Sequence, residues 1–183
     1  MKPPPRSLKS RALQLLAQRE HSRTELRRKL LAHAADASPT EVGTAAEGED
    51  DGFTTDPAAA VDALLDWLEA RRFLSMDRFV ESRLNARSGR FGNQRIRSEL
   101  AQHDARLPPE AERLLRETEL DRARSVWERK FAAAAAAGRP DAASRARQSR
   151  FLAGRGFTSD VIARVMREAA QRSRCDGTAP ADP

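Results

Sequence analysis

The stretch RRKLLAH, residues 27 to 33, has two related copies further along the chain, RSELAQH at 97 to 103 and SRFLAGR at 149 to 155. Each copy closes a segment in which apolar residues recur roughly every three to four positions, and a further helical segment lies before it and after it. Self-similarity of this kind is the sequence signature of a repeat protein. The pattern predicts an all-α chain of three tandem three-helix repeats.

The first repeat is longer than the others. Leu30 and Leu100 are 70 residues apart, whereas Leu100 and Leu152 are 52 apart. The difference nearly matches residues 34 to 57, which are rich in Ala, Gly, Thr, Pro and acid and almost lack large apolar side chains. Such a composition cannot offset the entropy cost of ordering the chain. We therefore predict that a mobile acidic loop is inserted in the first repeat.

The remaining divisions follow the ends of the predicted helices, about nine in all. They are a disordered N-terminus at 1–6, a first repeat at 7–75 that contains the insertion 34–57, a second repeat at 76–117, a third repeat at 118–170 and a disordered tail at 171–183. Two of the predicted helices, 108–116 and 118–131, meet at the boundary between the second and third repeats. A unit of about fifty residues has a thin core, so we expect neighbouring repeats to rest on each other in an elongated, curved array.

Core stripes and caps can also be assigned. The clearest stripes are Leu8, Ala12, Leu15 and Leu16, then Leu26, Leu30 and Leu31, and then Val61, Leu64, Leu65 and Leu68. Ser22, Ser75 and Thr158 are predicted to cap helix starts with their hydroxyl groups. GRGF at 154–157 lacks the spacing of a phosphate-binding loop. Gly156 is instead predicted to end the middle helix in the left-handed conformation, with Phe157 covering that end.

The sequence contains no pattern typical of an enzyme or of a metal site. His21, His33 and His103 fall in different predicted helices without metal-ligand spacing, and Cys175 is the only cysteine. The acidic run EGEDDG at 47–52 lacks the ligand order of a calcium loop. We predict no catalytic residue, no metal ligand and no cofactor.

The N-terminal stretch MKPPPRSLKSR has no apolar core of the kind a signal peptide needs, and the longest apolar run, 131–137, is too short to cross a bilayer. A single cysteine in a polar tail suits a reducing compartment. We expect a cytoplasmic protein with no membrane contact.

Charge is distributed unevenly along the chain. Residues 34 to 69 hold ten acidic side chains and no lysine or arginine, which leaves 33 basic and 17 acidic groups elsewhere, a balance of +16. Such an excess favours a polyanionic partner, with nucleic acid as the leading candidate. Arginine makes up 29 of the 33 basic residues, as the codon usage of a GC-rich genome would also produce. Charge therefore indicates a partner without identifying it.

Several arginines recur at helical spacing and could form a shared cationic stripe, although a solvated helix face explains any single one of them. The residues predicted to contact a partner or DNA are Arg23, Arg27, Arg83, Arg87, Arg90, Arg147 and Arg150. Aromatic residues are 5% of the chain, tyrosine is absent, and most phenylalanines lie on predicted core stripes. We therefore expect contact with phosphate or with acidic protein, and no base-stacking platform.

Two segments resemble the RecX family of regulatory proteins. DRFVESRLNARSGRFGNQRIRSEL, residues 77 to 100, is similar to the family's D-x-x-F-A-E…R…G-x-x-x-I-x-x-E-L core, and RFLAGRGF, residues 150 to 157, matches a second family segment. The resemblance extends over roughly residues 7 to 169. Val80 departs from the pattern by replacing the usual alanine, and HDA at 103 to 105 replaces the usual basic residue, glycine and apolar residue.

The resemblance implies tandem three-helix repeats and a non-enzymatic modulator of the RecA recombinase. Such a protein lies in the groove of the RecA filament on DNA, blocks its extension and lowers its ATPase, strand-exchange and co-protease activities. We expect a monomer whose partner is the RecA filament, with single- or double-stranded DNA as a further contact.

Two other classes of protein remain open. HSRTELRRKL at 21–30 or FTSDVIARVM at 157–166 could serve as one helix of a helix-turn-helix, although no paired recognition helix of distinct polar character follows. A helical adaptor unrelated to RecA would need neither DNA nor a filament.

Overall fold

A computed structural model describes residues 7–36, 56–136 and 141–175, with side chains for 7–36, 56–133 and 141–172. The helices are α1 (Leu8–Gln18), α2 (Arg23–Asp36), α3 (Pro57–Ala70), α4 (Met76–Arg87), α5 (Asn93–Ala101), α6 (Pro109–Ala136), α7 (Ala142–Gly154) and α8 (Ser159–Cys175). Every regular element in these ranges is a helix, so the predicted all-α fold is confirmed. The predicted N-terminal segment 1–6, most of the acidic loop and residues 176–183 lie outside the described ranges.

The described chain has eight helices instead of the nine predicted, because the segments 108–116 and 118–131 form the single helix α6. No glycine or proline separates the two segments. Thr118 fits within the helix because its hydroxyl donates to the carbonyl oxygen of Leu114 at 2.7 Å. Two boundaries were also placed too early. The helix α2 continues to Asp36 inside the predicted loop, and α8 continues to Cys175 inside the predicted tail.

The described residues divide into two compact units, the first within 1–82 and 103–105 and the second within 83–102 and 106–183. In the first unit, α2 packs against both α1 and α3. Its core confirms the predicted stripes and consists of Leu8, Ala12, Leu15, Leu26, Leu30, Ala34, Val61, Leu64, Leu65, Leu68 and Leu74. Leu16 and Leu31 pack against this core while partly buried. The sequence boundaries of the three repeats stay predictions.

The second unit contains α6, α7 and α8, which pack against one another, and α5, which packs on α6. Its core consists of Ala123, Val126, Trp127, Leu152, Phe157, Val165 and Ala169. The indole N–H of Trp127 donates to Gln148 at 3.0 Å, so its one polar group is satisfied within the core.

The helix ends explain where the chain turns. Ser22 accepts a hydrogen bond from the backbone N–H of Glu25 at 3.0 Å, and Ser75 accepts from Arg78 at 3.4 Å, as predicted for N-caps. The hydroxyl of Thr158 instead donates to Glu119 at 3.4 Å. Gly156 has φ +81°, which confirms the predicted left-handed cap of α7.

Candidate partner-binding surface

Four guanidinium groups surround the ring of Phe91 in the second unit. The Cζ atoms of Arg87, Arg90, Arg95 and Arg155 lie between 4.7 and 6.0 Å from the ring centre. These five residues are called the Phe91 cluster below. Each guanidinium group lies at the distance of a cation–π contact, so one aromatic ring holds cations from α4, the following loop, α5 and the end of α7.

The backbone between α4 and α5 places these side chains. The N–H groups of Arg90 and Phe91 both donate to the carbonyl oxygen of Arg87 at 3.0 Å, which folds the chain tightly after the helix. The N–H of Gly92 then donates to the carbonyl oxygen of Arg155 at 2.9 Å. The guanidinium of Arg155 donates in return to the carbonyl oxygen of Arg90 at 3.2 Å. These bonds bring Arg155 beside a loop that lies 65 residues before it in the chain.

A network of polar side chains on α5 and α6 makes hydrogen bonds to the same loop. Arg122 donates to the carbonyl oxygens of Ser88 at 3.1 Å and Phe91 at 2.8 Å, and to Asn93 Oδ1 at 2.6 Å. Burial lowers the pKa of the Arg122 guanidinium, while the charge of Glu119 opposes that shift. Glu119 also accepts from the backbone N–H of Asn93 at 3.1 Å and from its amide at 2.9 Å. These hydrogen bonds tie the loop that carries Arg90 and Phe91 to α5 and α6.

The Phe91 cluster carries excess positive charge. Glu99 forms an ion pair with Arg87 at 3.1 Å and lies 3.7 Å from Arg95. Among the ion pairs of the described chain, Glu99 is the one carboxylate that pairs with the cluster. The cluster contains four guanidinium groups, so positive charge is in excess. Arg90 is exposed to solvent. Such a concentration of like charge favours an anionic partner, because guanidinium groups bind carboxylates and phosphates in bidentate fashion.

An open groove of about 490 Å³ lies beside the cluster, between α5 and the end of α7. Its lining is mostly polar and consists of Gln94, Arg95, Ser98, Glu99, Gln102, Ala153, Gly154 and Gly156. The amide and hydroxyl groups of Gln94, Gln102 and Ser98 can donate and accept hydrogen bonds there, beside the guanidinium of Arg95 and the carboxylate of Glu99.

The structure brings only some of the predicted contact residues together. Arg87 and Arg90 belong to the Phe91 cluster. Arg83 is half-buried on α4, whereas Arg147 and Arg150 are exposed on α7 and are not among the residues around Phe91. The role of all five as contact residues stays a prediction.

In the first unit, the predicted residues Arg23 and Arg27 face acidic side chains of α3. Arg27 donates to both carboxylate oxygens of Asp62, at 2.7 and 2.9 Å. Arg23 pairs with Asp66 and with Glu69, both at 2.7 Å. The hydrogen bond from Arg27 lowers the pKa of the Asp62 carboxyl. The same bond is the largest reason why the pKa of Arg27 is raised. These two charges are therefore compensated within their own unit.

The sequence pattern did not predict that Phe91, Arg95 and Arg155 belong to one surface. One signal existed for Arg155, which occupies the repeat position of His33 and His103 in the aligned stretches. Phe91 carries no such signal, because it follows a helix and lies outside the apolar period.

The side chains of His103 and His21 pack within the first unit. The ring of His103 packs edge-on against Phe79, with ring centres 5.1 Å apart, and its Nδ1 lies 2.9 Å from the Ser22 hydroxyl. His21 is 1% exposed, and burial lowers its pKa. In the described ranges, no three His, Cys, Asp or Glu side chains lie together as a metal ion would require. Of the helices described, none is both long enough and apolar enough to cross a membrane.

Comparison with known proteins assigns the family. A sequence model of the third three-helix domain of RecX matches residues 117–166. The chain is 43% identical over 179 residues to the regulatory protein RecX of Leptothrix cholodnii, covering 96% of this chain and 97% of the relative. It is 45% identical over 163 residues to the regulatory protein RecX of Herminiimonas arsenicoxydans, covering 88% and 91%.

The fold agrees with a solved structure. The crystal structure of RecX from Lactobacillus salivarius superimposes with a TM-score of 0.60 at 14% identity, covering 90% of this chain and 95% of that one. At that identity the likeness concerns the fold alone. The sequence relatives share more than two fifths of their aligned residues with this chain over most of its length and carry one name. The resemblance inferred from residues 77–100 and 150–157 is thereby confirmed, and the chain belongs to the RecX family of regulatory proteins.

Proposed function

We propose that this protein binds the RecA filament on DNA and inhibits its extension and its ATPase, recombinase and co-protease activities. Membership of the RecX family supports a regulatory role. The observation that carries the proposal is the Phe91 cluster, where four guanidinium groups meet at one ring and Glu99 is the one carboxylate paired with them among the described residues. We place this activity in the cytoplasm, where bacterial DNA lies, and we expect the protein to act as a monomer.

The chemistry required is binding. Arg90 and Arg155 can each direct planar N–H groups at a carboxylate of the filament or at a DNA phosphate. The loop between α4 and α5 is already held by Arg122, so little conformational entropy is lost when the surface docks. A preorganised cationic surface suits a helical polyanion such as a protein filament on DNA.

The test is the ATPase activity of RecA on single-stranded DNA with this protein titrated in. We expect loss of activity at substoichiometric amounts. The double variant Arg90→Glu, Arg155→Glu should raise the concentration for half inhibition by at least about tenfold, because two attractive contacts become repulsive. The matched control is Arg113→Glu, Arg116→Glu, which changes the net charge equally on the exposed surface of α6 and should leave inhibition intact.

The outcomes separate the function from the surface that performs it. Wild-type protein without effect on RecA would contradict the proposed function, and sequence-specific binding to duplex DNA would favour a helix-turn-helix regulator instead. Equal inhibition by the wild type and the Arg90→Glu, Arg155→Glu variant would agree with the proposed function. It would show that the Phe91 cluster is not the surface that contacts the filament.

A further inference from the structure

The helices α3 and α7 end in the same backbone motif. After α3, Phe73 donates its N–H to the carbonyl oxygen of Leu68 at 2.9 Å, and after α7, Phe157 donates to Leu152 at 3.3 Å. In both caps the residue before the phenylalanine is in the left-handed conformation. This pair of features is the Schellman motif, in which the residue that follows the left-handed one commonly packs back onto the helix.

The two phenylalanines differ in exposure. Phe157 is 2% exposed and belongs to the core of the second unit, whereas Phe73 is 47% exposed. Phe73 stacks on Trp67, with ring centres 5.8 Å apart and an angle of 17° between the planes. The cap of α3 thus presents a flat aromatic surface to solvent, although the cap of α7 shows that a phenylalanine at this position can be buried.

Cations surround this pair of rings. The Nζ atom of Lys9 and the Cζ atom of Arg71 each lie 4.5 Å from the centre of the Trp67 ring. Arg72 occupies the left-handed position, with φ 60°, where α7 has glycine. Because a side chain is strained in that conformation, glycine would be the easier residue there. The exposed guanidinium of Arg72 therefore lies next to Phe73 in the chain at a backbone position that does not favour it.

The carboxylates of α3 do not cancel these cations. Asp62 pairs with Arg27, and both Asp66 and Glu69 pair with Arg23. The acidic groups of this helix therefore form ion pairs with arginines of α2. The surface formed by Lys9, Trp67, Arg71, Arg72 and Phe73, called the Trp67–Phe73 patch below, combines stacked aromatic rings with cations. An anionic ligand with a flat apolar part is complementary to it.

An apolar protein segment fits this patch less well. Phe73 and Leu114 are the large apolar side chains that are well exposed in the described chain, at 47% and 61%, and Leu114 belongs to the other unit. Apolar patches that dock proteins usually extend over several hundred Å². Proteins that bind single strands combine the same two kinds of group, since bases stack on their aromatic side chains and phosphates contact their basic groups.

We propose that the Trp67–Phe73 patch binds single-stranded nucleic acid, with an unpaired base stacked on Phe73 and the adjoining phosphates held by Lys9, Arg71 and Arg72. The composition of the chain predicts no base-stacking platform, and this inference departs from that expectation at one position. It concerns direct binding of nucleic acid and does not depend on RecA.

The experiment measures fluorescence anisotropy of two labelled oligonucleotides of about 20 nucleotides, oligothymidylate and an abasic strand with the same phosphates. Phe73→Ala should weaken binding of oligothymidylate by about tenfold, the effect of losing one stacked base, and should leave the abasic strand unaffected. Leu114→Ala removes an exposed apolar side chain elsewhere and should change neither affinity. Phe73→Leu keeps the apolar bulk without the flat ring and should behave like Phe73→Ala.

Three results would overturn the proposal. They are unchanged affinity of Phe73→Ala for oligothymidylate, an equal loss for both strands, and full affinity in Phe73→Leu. Far-UV circular dichroism of each variant verifies that its helices are intact. Since the assay contains no RecA, a negative result leaves the proposed function standing, and a failure to inhibit RecA leaves this binding site standing.

Discussion

Gly92 and Gly156 bring the start of α5 and the end of α7 so close that a Cβ atom on Gly92 would overlap the carbonyl group of Gly156. The contact is made by bare backbone. The N–H of Gly92 donates to Arg155 at 2.9 Å, and the N–H of Gln94 donates to Gly156 at 3.1 Å. Carbonyl groups from the end of one helix thus satisfy N–H groups at the start of another. The same approach places Arg155 beside Phe91.

Gly92→Ala should destabilise the second unit, because the new methyl group has no space and the two backbones must move apart. We expect the free energy of unfolding to fall by about 2–3 kcal/mol in urea denaturation. Gly154→Ala is the matched control, since a Cβ atom at Gly154 meets nothing within 4 Å. It should leave stability unchanged or raise it by up to about 1 kcal/mol. Equal stabilities for the two variants would contradict the close approach.

Asn93→Ala should destabilise the support of the Phe91 cluster. The Asn93 side chain accepts from Arg122 at 2.6 Å and donates to Leu115 and Glu119 at 3.1 and 2.9 Å. Removing it leaves buried charged groups with fewer partners, so we expect a loss of about 3 kcal/mol in urea unfolding. Gln94→Ala alters the exposed neighbour and should have little effect. A similar small loss for Asn93→Ala would show that the network is dispensable.

Acid should destabilise the first unit through His21 and Glu25. Burial lowers the pKa of His21 below 6.5, so the unfolded chain binds a proton first and stability falls as the pH drops below that value. Although burial alone would raise the pKa of Glu25, hydrogen bonds from Arg19 and Lys29 and nearby positive charge lower it from 4.5 to about 2. The free energy of unfolding should therefore fall by a further amount on the order of 3 kcal/mol as the pH drops from 4.5 to about 2.

Urea unfolding between pH 7 and pH 2 measures both effects. Glu25→Gln should be less stable than the wild type at neutral pH, and its stability should change less below pH 4.5, because the titrating group is gone. An unchanged pH dependence in Glu25→Gln would assign the acid sensitivity to other carboxylates.

Variants of the Arg27–Asp62 ion pair distinguish an effect on stability from an effect on partner contact. Both side chains are near 40% exposed, at 42% and 40%, so either Arg27→Gln or Asp62→Asn should lower the thermal midpoint only slightly. If Arg27 contacts the filament as predicted, Arg27→Gln weakens inhibition of the RecA ATPase while Asp62→Asn, which keeps the cation, does not. Identical inhibition curves for the two variants would limit Arg27 to its ion pair with α3.

Local features of the fold were predictable because their causes lie within a few residues. The apolar stripes of α1, α2 and α3 place Leu30 and Leu65 in the core by helical period alone. Gly156 marks the end of α7, since glycine readily adopts the left-handed conformation that this cap requires. The break predicted within α6 was wrong because neither glycine nor proline enforces one there.

The partner-binding surface was only partly predictable. Helical spacing singled out Arg87 and Arg90, yet the same reasoning placed Arg27 on a free cationic stripe although Asp62, 35 residues away, compensates it. Spacing along one helix says which side chains share a face. It does not say which helix packs on that face.

The sequence by itself determined the family, the all-α class, the caps at Ser22, Ser75 and Gly156 and the apolar faces of the first three helices, because each depends on residues within about one helical turn or on similarity along the chain. Only the tertiary structure decided which charges are compensated and which are free to bind. Arg155 reaches Arg90 across 65 residues of chain because two glycines let the ends of α5 and α7 touch. Electrostatic interaction depends on distance in space, and that distance is set by packing.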